Sequence, residues 1–208
     1  STIADIFYGL PVFPYSTDIS NIELLPSHSS KLQNAEAVTK SEVLEKVHLQ
    51  LKNFLSFPEL HEEYDLIVID TPPSKGPLTI AAIKAASHIV IPSKMEQFSI
   101  DGVYGMMQLW KQETYVRSKE DPIELIGILP NQLRKINLHQ QFLESLKNTE
   151  GLGNLIIPYT IAARAIYAEI LAEGATPKSI FKLPATHPAR IELAAACQYI
   201  LNKVFIND

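Results

Sequence analysis

The sequence predicts an α/β domain with a mainly parallel sheet and helices on both faces. Short apolar runs alternate with segments of helical periodicity along all 208 residues, which is the pattern of repeated strand–helix units. The runs are continuous rather than alternating, as expected for strands that are covered on both faces. Most of them end at a proline, which lacks the N–H group needed to extend a sheet. We expect a single domain over residues 1–208.

The first part of the chain predicts one short strand and one long helix. The apolar run 22–25 predicts a strand that Pro26 stops. Between Ser41 and Phe57 apolar residues recur every three or four positions, which predicts an amphipathic helix. Serine is a common N-cap residue, so we expect Ser41 to cap this helix and Pro58 to end it.

The central part predicts two strands and two helices in alternation. Residues 66–69 form an uninterrupted apolar run, which predicts a strand that is buried on both faces. The Ala-rich stretch 78–86 predicts a short helix, and residues 88–91 predict a second buried strand. A helix over residues 99–115 follows, with Ser99 as its cap. Core packing is the simplest explanation of its apolar face, and reception of a partner's peptide is the alternative.

The last part of the chain continues the alternation. The predicted elements are a strand at 125–129, a helix at 138–146, a strand at 155–157, a helix at 161–171 that stops near Gly174, and a helix at 189–204. Parallel sheets bind their ligands beyond the carboxyl ends of the strands. The residues that directly follow each strand are therefore the first candidates for function.

Composition and charge narrow the functional class. The chain is 46% hydrophobic and 20% charged, which suits a globular protein with its own core. Its single cysteine, Cys197, cannot form an internal disulfide, and burial in the core explains it most simply. No apolar run reaches the roughly 20 residues that span a membrane, so we expect a cytoplasmic protein. The net charge is −5, but residues 131–208 hold 8 Lys and Arg against 6 Asp and Glu, which makes them the better site for an anionic partner.

Asp70 follows the predicted strand 66–69 and is the leading candidate for chemistry. A carboxylate at the carboxyl end of a buried strand faces the ligand crevice, where it can hold a Mg²⁺ ion that bridges phosphate oxygens. Thr71, Pro72 and Pro73 then predict a stiff turn, because proline fixes its own φ and restricts the residue before it. Such a turn can respond to a terminal phosphate. From the residues alone, an Asp that caps a helix or starts a turn stays an open alternative.

The centre of the chain resembles a known family. The resemblance is to the central signature of the ParA/MinD superfamily of deviant Walker A ATPases, most closely its ParA/Soj branch, and its core is Asp70, Pro72 and Pro73. The full matching stretch, residues 64–103, is YDLIVIDTPPSKGPLTIAAIKAASHIVIPSKMEQFSIDGV. Weaker similarity runs through NIELLPS (21–27), GILPNQ (127–132) and NLIIPY (154–159). The resemblance implies a P-loop NTPase-like fold of the ParA/MinD type.

One part of the family pattern does not occur in the sequence. Members begin with a strand and a glycine-rich phosphate loop, but neither G-x-x-x-x-G-K-[ST] nor KGG is present in these 208 residues. The chain also opens STIADIFYGL, without Met. We expect it to be the C-terminal major part of a ParA-like ATPase domain that lacks its first strands and is inactive alone. The alternative is a natural paralogue without the loop, which would act as a non-hydrolysing interaction protein.

The resemblance implies a function in DNA partition. It implies a nucleoid-associated ATPase that dimerises on ATP and Mg²⁺, binds non-specific double-stranded DNA and is stimulated by a ParB-type adaptor, with a plasmid or a chromosome as cargo. A cargo-positioning or MinD-like ATPase of the same fold is the rival. MinD-like proteins end in a basic amphipathic membrane helix, whereas this chain ends CQYILNKVFIND with one Lys, so we expect no membrane partner.

The resemblance also implies roles for particular residues. Asp70 is implied to hold Mg²⁺, and Thr71 and the residues up to Ser74 are implied to act as the switch. The implied nucleotide-binding residues are Pro72, Asn131, Pro158 and Tyr159. An Asn side chain carries both a donor and an acceptor for a base edge, although a turn-forming Asn and an ordinary strand exit stay open as alternatives.

Basic residues near the C-terminus are implied to hold DNA. Such contacts neutralise phosphates and release counterions, without reading sequence. The candidates are Arg164, Lys178, Lys182 and Arg190. For any single one of them, a solvated surface charge is the simpler explanation.

Overall fold

The chain forms two compact units in a computed structural model, which describes residues 1–170 and 179–205. The first unit consists of residues 1–87 and 112–117, and the second consists of residues 88–111 and the described residues from 118 onward. The prediction of one domain over the whole chain stays a prediction. Across the described ranges, no helix is both long enough and apolar enough to cross a membrane.

The first unit is mostly helical. Its elements are α1 (Ile3–Phe7), β1 (Tyr15–Ser16), β2 (Glu23–Leu24), α2 (Ser29–Glu36), α3 (Ser41–Leu55), α4 (Pro58–Glu63) and α5 (Pro77–Ala85). Its buried core joins Ile6 of α1, Leu51 of α3, and Ala81 and Ala82 of α5. The amphipathic pattern of α3 and the Ala-rich pattern of α5 are therefore both explained by burial of one helix face.

The ends of α3 differ from the prediction. Lys40 is its N-cap, no side chain caps the helix, and Ser41 is already the first helical residue. Pro58 begins α4, because the first N–H groups of a helix have no helical partner and proline loses nothing there. The predicted strand 22–25 is shorter than expected, and it pairs with β1 in an antiparallel hairpin instead of joining a parallel sheet.

The apolar run at residues 66–69 is not the buried strand that the sequence predicts. It pairs with no strand of the described chain, and Leu66, Ile67 and Val68 are 44%, 43% and 83% exposed. A strand forms only where a neighbouring backbone pairs with its N–H and C=O groups. No described segment supplies that backbone beside this run. Ile69, at its end, packs against the core of the first unit.

The second unit contains a parallel strand pair with helices. Its elements are β3 (His88–Ser93), α6 (Gln97–Val116), β4 (Glu124–Pro130), α7 (Asn137–Asn148), a 3₁₀ turn at Gly153–Leu155, α8 (Ala165–Ile170), a 3₁₀ turn at Ile180–Lys182, and α9 (Pro188–Phe205). The last residues of α6, from Gln112 onward, count with the first unit. Its core surrounds Ile91 of β3, Val103 of α6, Ile128 of β4 and Leu143 of α7.

The pairing of β3 with β4 contains one irregularity. Ile89 lies opposite Leu125, but the next residue, Val90, lies opposite Gly127, so the ladder skips Ile126. Gly127 has a φ of 151°, which favours glycine, and a Cβ added there would lie 2.5 Å from a carbonyl oxygen of the first 3₁₀ turn. A glycine at position 127 therefore permits both the backbone conformation and the close approach found at this bulge.

The region after α7 is less regular than predicted. Within the predicted strand 155–157, a single parallel bridge links Ile156 to Ile128 of β4, and the preceding residues form the 3₁₀ turn. Gly151, with a φ of 77°, turns the chain just before this point. The predicted helix 161–171 begins later, as α8, and its predicted stop at Gly174 lies outside the described residues.

Candidate functional site

Asp70 lies in the first unit at the end of the apolar run, and it is exposed. Within the described chain, no hydrogen bond or ion pair engages its carboxylate. Thr71 and Pro72, which follow it, are also exposed. These three predicted site residues are therefore accessible to a ligand from solvent.

Asp70 offers one exposed carboxylate, which is compatible with a magnesium ion that arrives with a phosphate. Mg²⁺ is commonly held by one or two carboxylates and fills its other positions with water or phosphate oxygens. Asp70 can supply one such oxygen. Among the described residues, no group of three or more His, Cys, Asp or Glu side chains could hold a metal ion by itself. A closed protein cage for a metal is therefore not found in this part of the molecule.

The loop after Asp70 is held by Glu36, the last residue of α2. The Ser74 hydroxyl donates to Glu36 Oε1 at 2.7 Å, and the Leu78 backbone N–H donates to Oε2 at 3.1 Å. Leu78 lies in the first turn of α5, where N–H groups lack helical partners and the helix dipole favours a negative charge. One carboxylate thus connects the loop to the start of the next helix.

Thr79 holds the same loop through the backbone. Its hydroxyl donates to the Ser74 carbonyl oxygen at 2.8 Å, and it lies 3.5 Å from the Pro72 carbonyl oxygen. Thr79 is 1% exposed, so its buried hydroxyl has its partner in the loop, as buried polar groups require. Ser74 is therefore fixed through both its side chain and its main chain.

Gly76 separates the two donors to Glu36, and space explains why it is glycine. Its φ of −78° and ψ of −175° are extended backbone that any residue can adopt. A Cβ added at this position, however, would overlap the Glu36 carboxylate, with Cδ at 2.5 Å. The close approach of Glu36 therefore requires a residue without a side chain.

Asn131 lies in the second unit, directly after β4. Its backbone N–H donates to the carbonyl oxygen of Ser93 at the end of β3, at 2.8 Å. Its side-chain Oδ1 accepts from the backbone N–H of Gln132, also at 2.8 Å, and Gln132 has a φ of 52°. The acceptor of the Asn131 side chain is therefore engaged by the adjacent backbone. The side-chain NH₂ group makes no hydrogen bond within the described chain, so it can still donate to a ligand.

Pro158 and Tyr159 lie beside the carboxyl end of β4. Backbone hydrogen bonds of 2.9 Å, one on either side of this pair, connect their segment to carbonyl oxygens of β4. The Tyr159 ring is partly exposed and packs edge-on against Tyr199 of α9, with ring centroids 5.8 Å apart. The second unit thus brings Asn131 and Tyr159 to the same end of one strand, while Asp70, Thr71 and Pro72 belong to the first unit.

The basic residues that the sequence suggested for DNA differ in their contacts. Lys182 is exposed, whereas Arg190 is half-buried and donates to a backbone carbonyl at 2.6 Å. Arg164 forms a two-pronged ion pair with Glu192, through Nε at 3.2 Å and through Nη2, and this hydrogen bonding raises the pKa of Arg164. Lys178 lies outside the described residues.

The sequence analysis missed Glu36 and Thr79. Glu36 precedes its partner Ser74 by 38 positions, so no local spacing connects them. Thr79 gave a weak signal, as a polar residue in an Ala-rich helix that proves to be buried. The other available signal was Gly76, directly before Pro77 at the start of α5. The structure explains this glycine, because an added Cβ would overlap the Glu36 carboxylate.

Comparison with known proteins assigns the chain to a family. A family model described as an AAA domain matches residues 12–125. An uncharacterized protein of Methanocaldococcus jannaschii is 27% identical over 188 residues, which are 88% of this chain and 67% of that protein. Protein IncC of Escherichia coli is 31% identical over 153 residues, 73% of this chain and 41% of IncC. The chromosome-partitioning ATPase Soj of Thermus thermophilus is 39% identical over 69 residues, 33% of this chain and 26% of Soj.

Solved structures show the same fold. The ATP complex of a variant of Cyanothece McdA superposes with a TM-score of 0.76 at 19% identity, over 96% of this chain and 75% of McdA. Cobyrinic acid a,c-diamide synthase from Mycobacterium smegmatis, with bound ADP and magnesium, gives a TM-score of 0.71 at 18% identity, over 99% of this chain and 73% of the synthase. The predicted fold class, α/β of the P-loop ParA/MinD type, is confirmed.

The chain spans less than half the length of the IncC proteins it matches. The similarity therefore does not by itself assign the activity and partners of the whole protein. The family itself is established, because the matched residues 12–125 make up more than half of the chain. This chain belongs to the AAA domain family and, with Soj and IncC, to the ParA/MinD superfamily of deviant Walker A ATPases.

Proposed function

We propose that this protein is a ParA-type partition ATPase. It binds ATP with Mg²⁺, dimerises, and holds double-stranded DNA on the nucleoid without sequence preference. A ParB-type adaptor stimulates hydrolysis and so releases the DNA. The observation that carries the proposal is Asp70, an exposed carboxylate without a protein partner in the described chain, followed directly by a loop that Glu36 and Thr79 hold in place.

The comparisons support this proposal at the level of family and fold. Soj is described as a chromosome-partitioning ATPase, and both structural relatives were solved with an adenine nucleotide. The fold alone does not choose the reaction, since a cobyrinic acid a,c-diamide synthase shares it. The sequence similarity to Soj, which is described as a chromosome-partitioning ATPase, is what favours partition over synthesis.

Each predicted site residue has a proposed role that its environment permits. Asp70 supplies an oxygen to the Mg²⁺ shell, directly or through water, and the bound ion offsets the charge on the phosphates. Thr71 and Pro72 line the path of the terminal phosphate. In the second unit, the free NH₂ group of Asn131 donates to the base, and its neighbours Pro158 and Tyr159 pack against the adenine ring.

Replacing Asp70 tests the ATPase assignment. In the full-length protein that carries this sequence, Asp70→Asn should lower kcat for Mg²⁺-dependent ATP hydrolysis by about a hundredfold, the usual loss when a charge-stabilising group is removed. Asp65→Asn is the matched control, because Asp65 is also exposed and lies five positions earlier. Hydrolysis by Asp70→Asn at the parent rate, with DNA present, would remove the basis of the proposal.

The DNA-binding surface is proposed to include Lys182 and Arg190, with Arg164 and Lys178 as further contacts. Lys182 is the main candidate, because its side chain is exposed. It is the last residue of the second 3₁₀ turn. Arg190 braces the loop that precedes α9, through its bond to the Leu183 carbonyl oxygen. Arg164 is already paired with Glu192, so its contribution to phosphate binding is expected to be smaller.

Charge reversal tests the DNA surface. Lys182→Glu with Arg190→Glu should weaken binding to random duplex DNA and reduce the slope of log K against log salt by about one for each phosphate that is no longer neutralised. Lys119→Glu with Lys203→Glu makes the same change in net charge at two exposed positions elsewhere and serves as control. Equal affinity and equal salt slope in the two double variants would contradict the assignment.

A further inference from the structure

We propose that Glu36 is a positioning residue for the segment that follows Asp70, an inference that rests on the proposed function. Its carboxylate accepts one hydrogen bond from the loop, through Ser74, and one from the first turn of α5, through Leu78. Charge-assisted hydrogen bonds are stronger than neutral ones, and two of them on one carboxylate fix geometry as well as distance. The conformation of the loop is thus set by α2, a helix distant in sequence.

The environment of Gly76 supports this role independently of the hydrogen bonds. The residue has an ordinary extended backbone, so no turn geometry demands glycine here. The volume that a side chain would need is filled by the Glu36 carboxylate. Glycine at position 76 therefore leaves free the space that the Glu36 carboxylate occupies.

Loss of Glu36 should loosen the loop without unfolding α5. Ser74 would lose its side-chain partner, and the Leu78 N–H would become one of the unpaired groups at a helix start. The bond from Thr79 to the Ser74 carbonyl would remain, and so would Pro77, which favours the first helical position. Asp70 and Thr71, a few residues before Ser74, would then no longer be presented in one conformation.

Limited proteolysis measures the loosening without any nucleotide. Lys75 is exposed in the middle of the loop, so trypsin cleavage after Lys75 reports its opening, and cleavage after the exposed Lys119 serves as an internal reference. Glu36→Ala should raise the relative rate at Lys75 about tenfold, and Glu36→Gln, which keeps one acceptor, should raise it less. Glu62→Ala, at an exposed glutamate of α4, should leave the rate unchanged.

A double-mutant cycle tests whether Glu36 and Gly76 act as a pair. Gly76→Ala should speed cleavage after Lys75, because the new Cβ displaces the carboxylate. Glu36→Ala combined with Gly76→Ala should be no faster than Glu36→Ala alone, since the clash is then gone. Additive effects of the two substitutions would contradict a direct contact between these residues.

Steady-state kinetics separate positioning from simple stabilisation. In the full-length protein, Glu36→Ala should lower kcat for ATP hydrolysis about tenfold and leave KM for ATP within about twofold, with partial recovery in Glu36→Gln. Ala82→Gly weakens the buried face of α5 without touching the loop, and it should lower the melting temperature but not kcat per folded molecule.

The outcomes distinguish this inference from the proposed function. Faster cleavage after Lys75 together with a selective loss of kcat supports the positioning role. Unchanged cleavage in Glu36→Ala overturns it, and so does faster cleavage with unchanged kcat. A parent protein that hydrolyses no ATP overturns the proposed function and the positioning role with it, while the proteolysis still shows whether Glu36 holds the loop.

Discussion

The two units of the chain are held together in different ways. Of the largest fully buried side chains in the described chain, Thr79 alone comes from the first unit, whereas Met95, Val103, Ile128 and Ile157 belong to the second. The first unit instead buries charged groups, Asp5 and Glu113 among them, and ties each to a basic residue. Buried ion pairs therefore have a larger part in the first unit, and fully buried apolar packing around a strand pair has a larger part in the second.

This difference changes how much a single interaction contributes to the stability of each unit. The fully buried core cluster of the first unit joins Ile6 and Leu51 to two alanines, and the side chains packed around it, such as Phe54, are only partly buried, so less apolar area is removed from water there than in the second unit. Where little apolar area is buried, one ion pair or one hydrogen bond is a larger share of the net stability. Substitutions of polar residues should therefore affect the first unit more than the second, and substitutions of aliphatic residues should do the reverse.

The ion network around Glu113 is the clearest polar connection. Glu113 accepts from Lys84 Nζ and from Arg117 Nε, each at 3.0 Å. The Arg117 side chain is 4% exposed and also donates to the carbonyl oxygens of Ile83 and Lys84 at the end of α5. Burial by itself raises the pKa of Glu113, but hydrogen bonds from Lys84 and Arg117 outweigh it and hold that pKa below its usual value.

Removal of Glu113 should give the largest effect. Glu113→Ala removes a buried carboxylate that accepts from both Lys84 and Arg117, and we expect the free energy of unfolding to fall by about 3–5 kcal/mol. Urea unfolding at pH 7 measures this. Glu192→Ala is the matched variant in the second unit, where the Arg164 and Glu192 side chains are 31% and 26% exposed, and it should cost about 1 kcal/mol. Equal losses in the two variants would remove the contrast between the units.

Truncation of aliphatic residues should distinguish β4 from the unpaired apolar run of the first unit. Ile128, in β4, is fully buried, and Ile128→Ala should lower the free energy of unfolding by about 2–5 kcal/mol, because it removes packed methyl groups and leaves a cavity. Val68 lies in the apolar run of the first unit and is 83% exposed, so Val68→Ala should change stability by less than about 0.5 kcal/mol. The measurement is urea unfolding of both variants beside the parent. A loss above about 1.5 kcal/mol in Val68→Ala would mean that this run is buried in solution.

Two segments with similar apolar patterns show how far the sequence could predict the fold. Residues 66–69 (LIVI) and 88–91 (HIVI) share three apolar residues, yet the second forms a strand and the first does not. Periodicity reports which side chains favour burial, but a strand also needs a partner backbone, and a partner is a property of the whole sheet. Helices α3, α5 and α9 were predictable, because a helix completes its hydrogen bonds within one segment.

The sequence could predict the carboxylate of the candidate site, but it could not predict the residues that hold the neighbouring loop in place. Asp70 could be found because an acid after an apolar run, followed by two prolines, is a local pattern. Glu36 could not, because its link to Ser74 spans 38 positions and depends on where α2 packs. The bulge before Gly127 was equally hidden, since it reflects the register between two strands rather than any residue preference in one of them.

One histidine in each unit has a buried ring nitrogen or a buried side chain, and the two differ in their hydrogen bonds. In the second unit, buried His139 accepts from the Arg134 backbone N–H through Nδ1 at 3.2 Å, and its Nε2 lies 3.7 Å from Glu96. In the first unit, the His48 Nε2 atom on α3 is buried and has no hydrogen-bond partner among the residues that the structure describes. Burial lowers the pKa of His48, and the nearby charge of Lys84 lowers it further.

The smallest expected effect follows from the sign of that shift. Because His48 holds its proton less tightly when folded, the unfolded chain binds more protons below about pH 6.5, and stability should fall as pH drops through that value toward the lowered pKa. His48→Leu removes this term, so its stability relative to the parent should rise between pH 7.5 and pH 5.5. Solvent screening of the partly exposed ring keeps the change below about 1 kcal/mol. Urea unfolding at three pH values measures it, with His61→Leu, at an exposed position on α4, as control. A parent-to-variant difference that stays constant with pH would show that His48 gains its proton as readily in the folded protein as in the unfolded chain.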